Sequence, residues 1–408
     1  MLSLFFFLLL VCCVPVQFCL GFAALGGRTR TTTTTTTTTT VWLAQSNSND
    51  NNNRIDKGFN LLEIASQVVP QGRIVQTAKE SWKFAWKRMM TELAPQDRTG
   101  TYQRPKYGFD GTLGSLKFPI DATDRYHVYV GNPCPWCHRV RLVVNLLELQ
   151  NQNKLGMTVL VDDPVKASRG GWVFDQPPPQ NRRIQDLREL YDYLSPNYQG
   201  RCTAPLLVDW KTKQIVSNES SDIVRMLPLL LELDKNEKEN ENENENKNEI
   251  DLCPSELVSK IDKTNAWVYQ LLNNGVYRCG FSTTQQAHEQ ASKDVRKGLE
   301  MAEEILGKQP FLNGNQITES DLLLLPTMLR FDGVYAPLFK AGGTHIRLEC
   351  DYPNLFQWLK RCWNDVPGVS TSIDIPDACA SYYKQLFPLN PGGILPTPVT
   401  AQTLRLED

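Results

Sequence analysis

Hydrophobic positions change their period along the chain, and the first part alternates between strand-like and helical segments. Residues 127–130 are rich in β-formers and run into the breakers at 131–133, which predicts a strand that ends before Cys134. From Cys134 to Leu149, apolar residues recur at helical spacing, which predicts a helix. The elements predicted next are strands over 157–161, 206–210 and 215–216, and helices over 184–194 and from 218–220 onward.

The order β-α-β-α-β-β-α is that of a thioredoxin-like fold, with Pro205 directly before the third strand. We expect the packed body to begin near Phe118 and this α/β domain to span 118–235. Residues 51–117 form an N-terminal extension, in which the spacing over 61–93 is compatible with a helix.

A run of Asn and Glu at 236–250 carries almost no apolar residue and reads as a solvated linker. Beyond it, nearly every periodic segment over 251–390 is helical, and 391–408 is a tail. The predicted helices cover 257–272, 285–306, 319–331 and 355–363, the third with Thr318 as its N-cap. An α/β half joined to an all-α helical bundle resembles the architecture of the glutathione transferases.

Charge and cysteine usage narrow the class of protein. Basic residues number 43 and acidic residues 45, so no basic excess points to nucleic acid. Of 11 cysteines, only Cys134 and Cys137 form a close pair outside the N-terminal apolar run. Scattered single cysteines do not form a secreted disulfide framework, which favours a reducing compartment.

The N-terminus reads as a presequence over 1–50. Residues 2–16 are almost wholly apolar but interrupted by Pro15, which is too short for a comfortable membrane span. Residues 22–49 contain two arginines, ten consecutive threonines and no acid, which is the composition of a transit peptide. The two parts together resemble a bipartite plastid presequence, so we expect a plastid stromal protein with no membrane span in the mature chain. A secretory or cytoplasmic location is the alternative.

The motif CPWC at 134–137 lies between a predicted strand and helix. Unpaired N–H groups and the positive end of the helix dipole favour a thiolate at Cys134, and Pro135 suits the first turn. His138 and Arg139 add positive potential nearby. Zinc is the usual rival for such a motif, but no second CxxC or HxxxH occurs among four histidines, so no metal is expected. Cys137 is either a resolving thiol or a small buried side chain.

The chain resembles the glutathionyl-hydroquinone reductases, the xi class of glutathione transferases. The resemblance runs in order from about residue 118 to 396. It rests on the segments CPWCHR at 134–139, GWVF at 171–174, LRELY at 187–191, NYQGR at 197–201, NESSDI at 218–223, NNGVY at 273–277, RFDGVY at 330–335 and DYPNL at 351–355.

The resemblance implies an enzyme that removes glutathione from glutathionylated hydroquinones. Cys134 matches the nucleophile, which takes the glutathionyl group as a mixed disulfide that a second glutathione resolves, with release of oxidised glutathione. Tyr277 matches the tyrosine that protonates the leaving ring, and Tyr335 and Tyr382 match tyrosines beside the cysteine. Glutathione is the co-substrate, quinone conjugates are the other partner, and a homodimer is expected.

The resemblance also implies the glutathione site. Pro205 matches a cis-proline that exposes the preceding backbone to the peptide. Glu219 and Ser220, at a helix start, match the residues that hold the γ-glutamyl group. The glutathione-binding residues implied are Trp172, Arg201, Cys202, Thr203, Ala204, Pro205, Glu219 and Ser220.

Two departures from the family pattern keep other functions open. The family commonly has alanine where this chain has Cys137, and histidine where it has Ser381. With both thiols, Cys134 and Cys137, the alternative is a dithiol oxidoreductase or deglutathionylase of glutaredoxin type. A non-catalytic carrier or sensor of aromatic ligands is a third hypothesis.

Overall fold

The computed structural model describes residues 69–105, 107–121, 124–231, 250–343 and 345–407. The predicted presequence at 1–50, the start of the extension at 51–68 and nearly all of the Asn/Glu linker lie outside these ranges. In the described ranges, no helix combines the length and apolar content that crossing a bilayer requires.

A five-stranded sheet forms the α/β region, with the order β3-β2-β1-β4-β5. Strand β1 pairs in parallel with β2 and antiparallel with β4, and β5 pairs antiparallel with β4. The predicted thioredoxin-like fold is confirmed, and the short β3, which pairs with the end of β2, is additional. The strands are β1 (Tyr126–Gly131), β2 (Gly156–Asp162), β3 (Trp172–Val173), β4 (Leu206–Asp209) and β5 (Gln214–Ser217).

Four α-helices belong to the extension and the α/β region. Asp186 is the N-cap of α3 and accepts a hydrogen bond from the backbone N–H of Glu189, so the helix begins at Leu187 and not at 184. The helix after Cys134 ends earlier than predicted, at Leu146, before Glu148 takes a positive φ of 50°. The elements are α1 (Gln71–Leu93), α2 (Pro135–Leu146), α3 (Leu187–Leu194), α4 (Ser220–Met226) and a 3₁₀ helix (Leu227–Leu231).

The second half is helical, as predicted. Thr318 caps α8 in a reciprocal capping box with Asp321, which fixes the start of this wholly buried helix. Two π-helical segments, at Val268–Asn273 and Phe331–Tyr335, continue α5 and α8. The first replaces the end of the α-helix predicted over 257–272, and the second extends past the predicted helix end at 331. The helices are α5 (Val258–Trp267), α6 (Gly275–Phe281), α7 (Gln285–Leu306), α8 (Glu319–Arg330), α9 (Leu348–Asp351), α10 (Pro353–Asp365) and α11 (Ile375–Gln385).

The packed body begins earlier than Phe118, which corrects the expected start. Met90 and Tyr102 of the extension are buried in the main core. The side chain of Gln96 donates to the carbonyl of Phe281 at 2.8 Å and accepts from the hydroxyl of Thr283 at 2.5 Å. The sequence pattern missed this packing because Met90 is the one residue of α1 that is buried, so α1 shows no continuous apolar face.

Arg330, at the end of α8, ties the helical half to the loop that precedes Cys134. Its guanidinium is fully buried and donates to the backbone carbonyls of Asn132 and Pro133 at 3.1 and 3.2 Å. It also donates to the carbonyl of Pro326 at 3.0 Å and to Nδ1 of His138 at 3.1 Å. Buried carbonyls need such partners, so this one side chain fixes the loop against the bundle.

Candidate active site

Cys134 is the N-cap residue of α2, with an extended backbone (φ −74°, ψ 117°), and Pro135 occupies the first turn. The residue is partly exposed, and its sulfur lies 3.8 Å from the carbonyl oxygen of Ala204. The N–H groups at this end of a helix lack backbone partners within it. The sequence places the thiol here because the breakers at 131–133 stop β1 directly before a helix-forming segment.

Competing effects set the acidity of Cys134. Burial raises its pKa, but hydrogen bonds from the Cys137 thiol and from the backbone of Cys137 and Trp136 lower it, as does the charge of Arg104. The net result is a pKa of about 7. A substantial fraction of the nucleophile is therefore thiolate at neutral pH, as covalent catalysis requires.

Cys137 lies one turn further along α2 and has no exposed surface. Burial raises the pKa of this thiol well above its ordinary value, and the hydrogen bond to Cys134 and the charge there raise it further. Cys137 is therefore a neutral thiol that donates to the Cys134 thiolate.

His138 does not supply the positive potential expected of it. Burial and the charge of Arg330 lower its pKa well below the ordinary value, so the ring is neutral. Its Nδ1 accepts from Arg330, and its Nε2 lies 2.7 Å from the hydroxyl of Ser372. Arg139 donates to the side chain of Asn273 and the carbonyl of Leu323, and its positive charge still interacts with Cys134. Both residues connect α2 to its surroundings.

The three predicted tyrosines come together from separate elements of the helical half. The hydroxyl of Tyr277 lies 2.7 Å from that of Tyr382 and 3.4 Å from that of Tyr335, and the last two lie 2.9 Å apart. Burial raises the pKa of all three, so each remains a protonated donor at neutral pH. The hydroxyls of Tyr277, Tyr335 and Tyr382 form a hydroxyl triad. The negative charge of Cys134 raises the pKa of Tyr277 and Tyr335, which indicates that this triad lies near the thiol.

A cleft of about 700 Å³ opens at Cys134. Tyr277 and Tyr382 line it, whereas Tyr335 is fully buried behind them. Four arginines on its walls provide positive charge for an anionic peptide. The predicted glutathione residues that line the cleft are Trp172, Arg201, Cys202, Thr203, Ala204 and Pro205.

The peptide bond between Ala204 and Pro205 is cis, as predicted. Glu219 and Ser220 are placed differently, since neither is among the residues that line the cleft. Glu219 is the N-cap of α4, and its carboxylate accepts from the backbone N–H and hydroxyl of Ser221. Ser220 is fully buried and accepts a hydrogen bond from Arg139 at 3.3 Å. Their predicted contact with glutathione stays a prediction.

Arg104, in the extension, is a site residue that the sequence did not reveal. Its guanidinium lies 3.6 Å from the ring centroid of Trp136, on which it stacks, and it also contacts the hydroxyl of Tyr107. Both Arg104 and Tyr107 line the cleft. The segment has no periodicity or motif, so only its proximity to Cys134 in the folded chain marks it.

Asp162 and Ser381 form a second polar feature of the cleft. Asp162 ends β2, beside the loop that carries Cys134, and accepts a short hydrogen bond from the Ser381 hydroxyl. Burial raises the pKa of this carboxyl, and the hydrogen bond opposes that shift. Ser381, where the family pattern has histidine, thus holds a carboxyl at the cleft wall. Across the residues described, no His, Cys, Asp and Glu side chains group in a way that could hold a metal ion.

The chain matches two models of the glutathione transferase family. Residues 133–229 match the glutathione S-transferase N-terminal domain, and residues 285–361 match the C-terminal domain. These matches cover Cys134, strands β2 to β5 and the helices from α7 to most of α10.

Curated relatives and solved structures give the same family. The chain is 35% identical over 296 residues to the glutathionyl-hydroquinone reductase YqjG of Escherichia coli, covering 71% of this chain and 83% of the relative. It is 36% identical to the glutathionyl-hydroquinone reductase PcpF of Sphingobium chlorophenolicum, covering 67% and 82%. The xi glutathione transferase of Phanerochaete chrysosporium superposes with a TM-score of 0.65 at 33% identity, covering 74% and 94%. The glutathione-bound structure of YqjG gives 0.62 at 33% identity, covering 72% and 93%. The chain therefore belongs to the xi class of glutathione transferases and is an enzyme of that family.

Proposed function

We propose that this enzyme reduces glutathionyl-hydroquinones to hydroquinones with glutathione as the reductant. The observation that carries the proposal is the meeting of an acidic thiol, Cys134, with the hydroxyl triad at one cleft. Two curated relatives named glutathionyl-hydroquinone reductase support the substrate class.

The first step transfers the glutathionyl group to the enzyme. The Cys134 thiolate attacks the thioether sulfur of the conjugate, and the bond between that sulfur and the aromatic carbon breaks. The electron pair passes to the ring carbon, which takes a proton from Tyr277. Hydrogen bonds from Tyr335 and Tyr382 stabilise the tyrosinate that remains, at the distances already present in the triad.

The second step regenerates the enzyme with free glutathione. The thiolate of a second glutathione attacks the mixed disulfide at Cys134, which yields oxidised glutathione and the Cys134 thiolate. The backbone at Ala204 and the arginines of the cleft hold the peptide in this proposal, with Trp172 at its side. The proton that Tyr277 lost returns from the incoming thiol or from water.

The test is turnover of glutathionyl-menadiol with excess glutathione, with menadiol and oxidised glutathione measured together. We expect equal amounts of both products from the parent and none above background from Cys134→Ser. A parent protein that forms oxidised glutathione from a simple mixed disulfide but releases no menadiol would overturn the quinone assignment.

We also propose that the enzyme is a homodimer of the plastid stroma. The transit-like composition of 22–49 supports the location, and the class resemblance supports the dimer. Fluorescence from a fusion of residues 1–50 to a reporter tests the first, and light scattering from the purified protein tests the second. A secreted reporter or a monomer would contradict the corresponding proposal.

A further inference from the structure

Two thiols of very different exposure share the first turn of α2. Cys134 lines the cleft, whereas Cys137 has no exposed surface and is the third residue of α2, one turn from the N-cap Cys134. A reagent dissolved in water cannot reach Cys137 in this state. Cys134, three residues earlier, is the thiol of the pair that lines the cleft.

We propose that Cys137 is a second reacting thiol, which resolves the mixed disulfide between Cys134 and glutathione before a second glutathione attacks it, so that glutathione then reduces an intramolecular disulfide instead. The inference rests on the proposed function, since the first catalytic step produces that mixed disulfide. The spacing of three residues within one helical turn, with Cys134 at the N-cap, brings the two sulfurs within reach of each other.

The step balances without an added oxidant. The Cys137 sulfur attacks the Cys134 sulfur, the bond from Cys134 to the glutathionyl sulfur breaks, and the departing glutathione thiolate takes the proton that Cys137 loses. The enzyme then holds one disulfide, and one glutathione leaves. Two further glutathione molecules reduce that disulfide to the two thiols, with one oxidised glutathione as the product. In this step Cys137 is oxidised and the glutathionyl sulfur is reduced, whereas the oxidant of the first step is the ring carbon, which accepts the electron pair of the broken thioether bond.

The charge pattern around Cys137 changes in the direction that the step requires. In the free enzyme, burial raises its pKa first, followed by the hydrogen bond to Cys134 and the negative charge there. A mixed disulfide at Cys134 carries no charge, so both contributions from Cys134 disappear. A hydrogen bond at the Gly131 backbone and the charge of Arg141, which lower the pKa, remain. Cys137 therefore becomes more acidic once Cys134 carries glutathione.

A single-turnover reaction without free glutathione tests the proposal. The full chain is mixed with one equivalent of glutathionyl-menadiol, quenched in acid, and examined by intact mass, with menadiol and released glutathione measured in parallel. For the parent we expect one menadiol, one free glutathione and a protein two hydrogens lighter. Peptide mapping should join Cys134 to Cys137.

The decisive variant is Cys137→Ala. We expect it to release menadiol, although more slowly because Cys134 loses a hydrogen bond that lowers its pKa. It should then keep the glutathionyl group, so its mass shifts by one glutathionyl adduct. Cys362→Ala is the matched control, because Cys362 is equally buried but lies in α10. This control should behave as the parent does.

The outcomes separate the two proposals. A parent that releases menadiol but retains the glutathionyl adduct overturns the role of Cys137 and leaves the proposed function intact. Loss of the adduct from Cys137→Ala at the parent rate, with another cysteine joined to Cys134, also overturns it. A parent protein that releases no menadiol but forms the intramolecular disulfide when treated with oxidised glutathione would overturn the proposed quinone substrate and support the role of Cys137.

Discussion

The two halves of the cleft are built by different means. In the α/β region, a few consecutive residues place and activate the nucleophile, since Cys134 takes its position and much of its acidity from the start of α2. In the helical half, Tyr277, Tyr335 and Tyr382 come from α6, a π-helical segment and α11, which are far apart in sequence. The thiol site is local, whereas the hydroxyl triad exists only when the whole bundle is packed.

We expect the largest effect from a substitution at Arg330, which connects the two halves. Replacement of Arg330 by Met leaves the buried carbonyls of Asn132 and Pro133 without donors, and each such loss costs about 1–3 kcal/mol. We expect the free energy of unfolding, from urea denaturation, to fall by roughly 3 kcal/mol or more. The control Arg405→Met removes an ion pair with Glu349 at the surface and should change stability by less than about 1 kcal/mol. Equal effects would mean that Arg330 does not hold the halves together.

Within the hydroxyl triad, the loss of activity on substitution should be larger for a tyrosine that lines the cleft than for one buried behind it. Tyr277→Phe keeps the ring packed against Phe281 and Phe339 but removes the proton donor, so we expect kcat to fall by about 10²-fold with little change in KM. Tyr335→Phe should cost only about 10-fold, since its hydroxyl supports Tyr277 from behind at 3.4 Å. Steady-state kinetics with glutathionyl-menadiol measure both. Equal losses would show that no single tyrosine is the donor.

The thiol site depends on neighbouring residues and the hydroxyl triad on distant ones, and this difference explains which site residues the sequence alone could predict. The breakers before Cys134 and the helical spacing after it predicted the strand, the helix and the thiol at its start from neighbouring residues alone. No local pattern connects Tyr277 to Tyr382, so the tyrosines were identified through the family resemblance. Arg104 was missed because its contact with Trp136 is tertiary and its segment carries no period. The prediction that His138 is charged was wrong, because burial and the charge of Arg330 keep the ring neutral, and Arg330 lies 192 positions away in the sequence.

The extension contributes Arg104, and its effect on the Cys134 thiol should appear as a shift in the pH dependence of the rate. The charge of Arg104 lowers the pKa of Cys134, so Arg104→Gln should raise that pKa above about 7. Because the thiolate forms as the pH rises through this value, the rate should fall most on the acidic side and approach the parent value in alkaline solution. The ultraviolet absorbance of the thiolate, titrated against pH, gives the pKa directly. Arg98→Gln, in the exposed part of the same segment, should leave the curve unchanged.

The smallest effect on activity is expected from substitution of Ser381, whose hydroxyl donates to Asp162 at the wall of the cleft. Burial raises the pKa of the Asp162 carboxyl, and the hydrogen bond from Ser381 lowers it, so Ser381→Ala should raise it further. The carboxyl then stays neutral to a higher pH, and the pH dependence of KM for the quinone conjugate should move in the same direction, with kcat nearly unchanged. Ser381→Thr keeps a hydroxyl and should restore the parent profile. If alanine and threonine shift the profile equally, the hydrogen bond is not its cause, and the cleft wall responds to the shape of residue 381 alone.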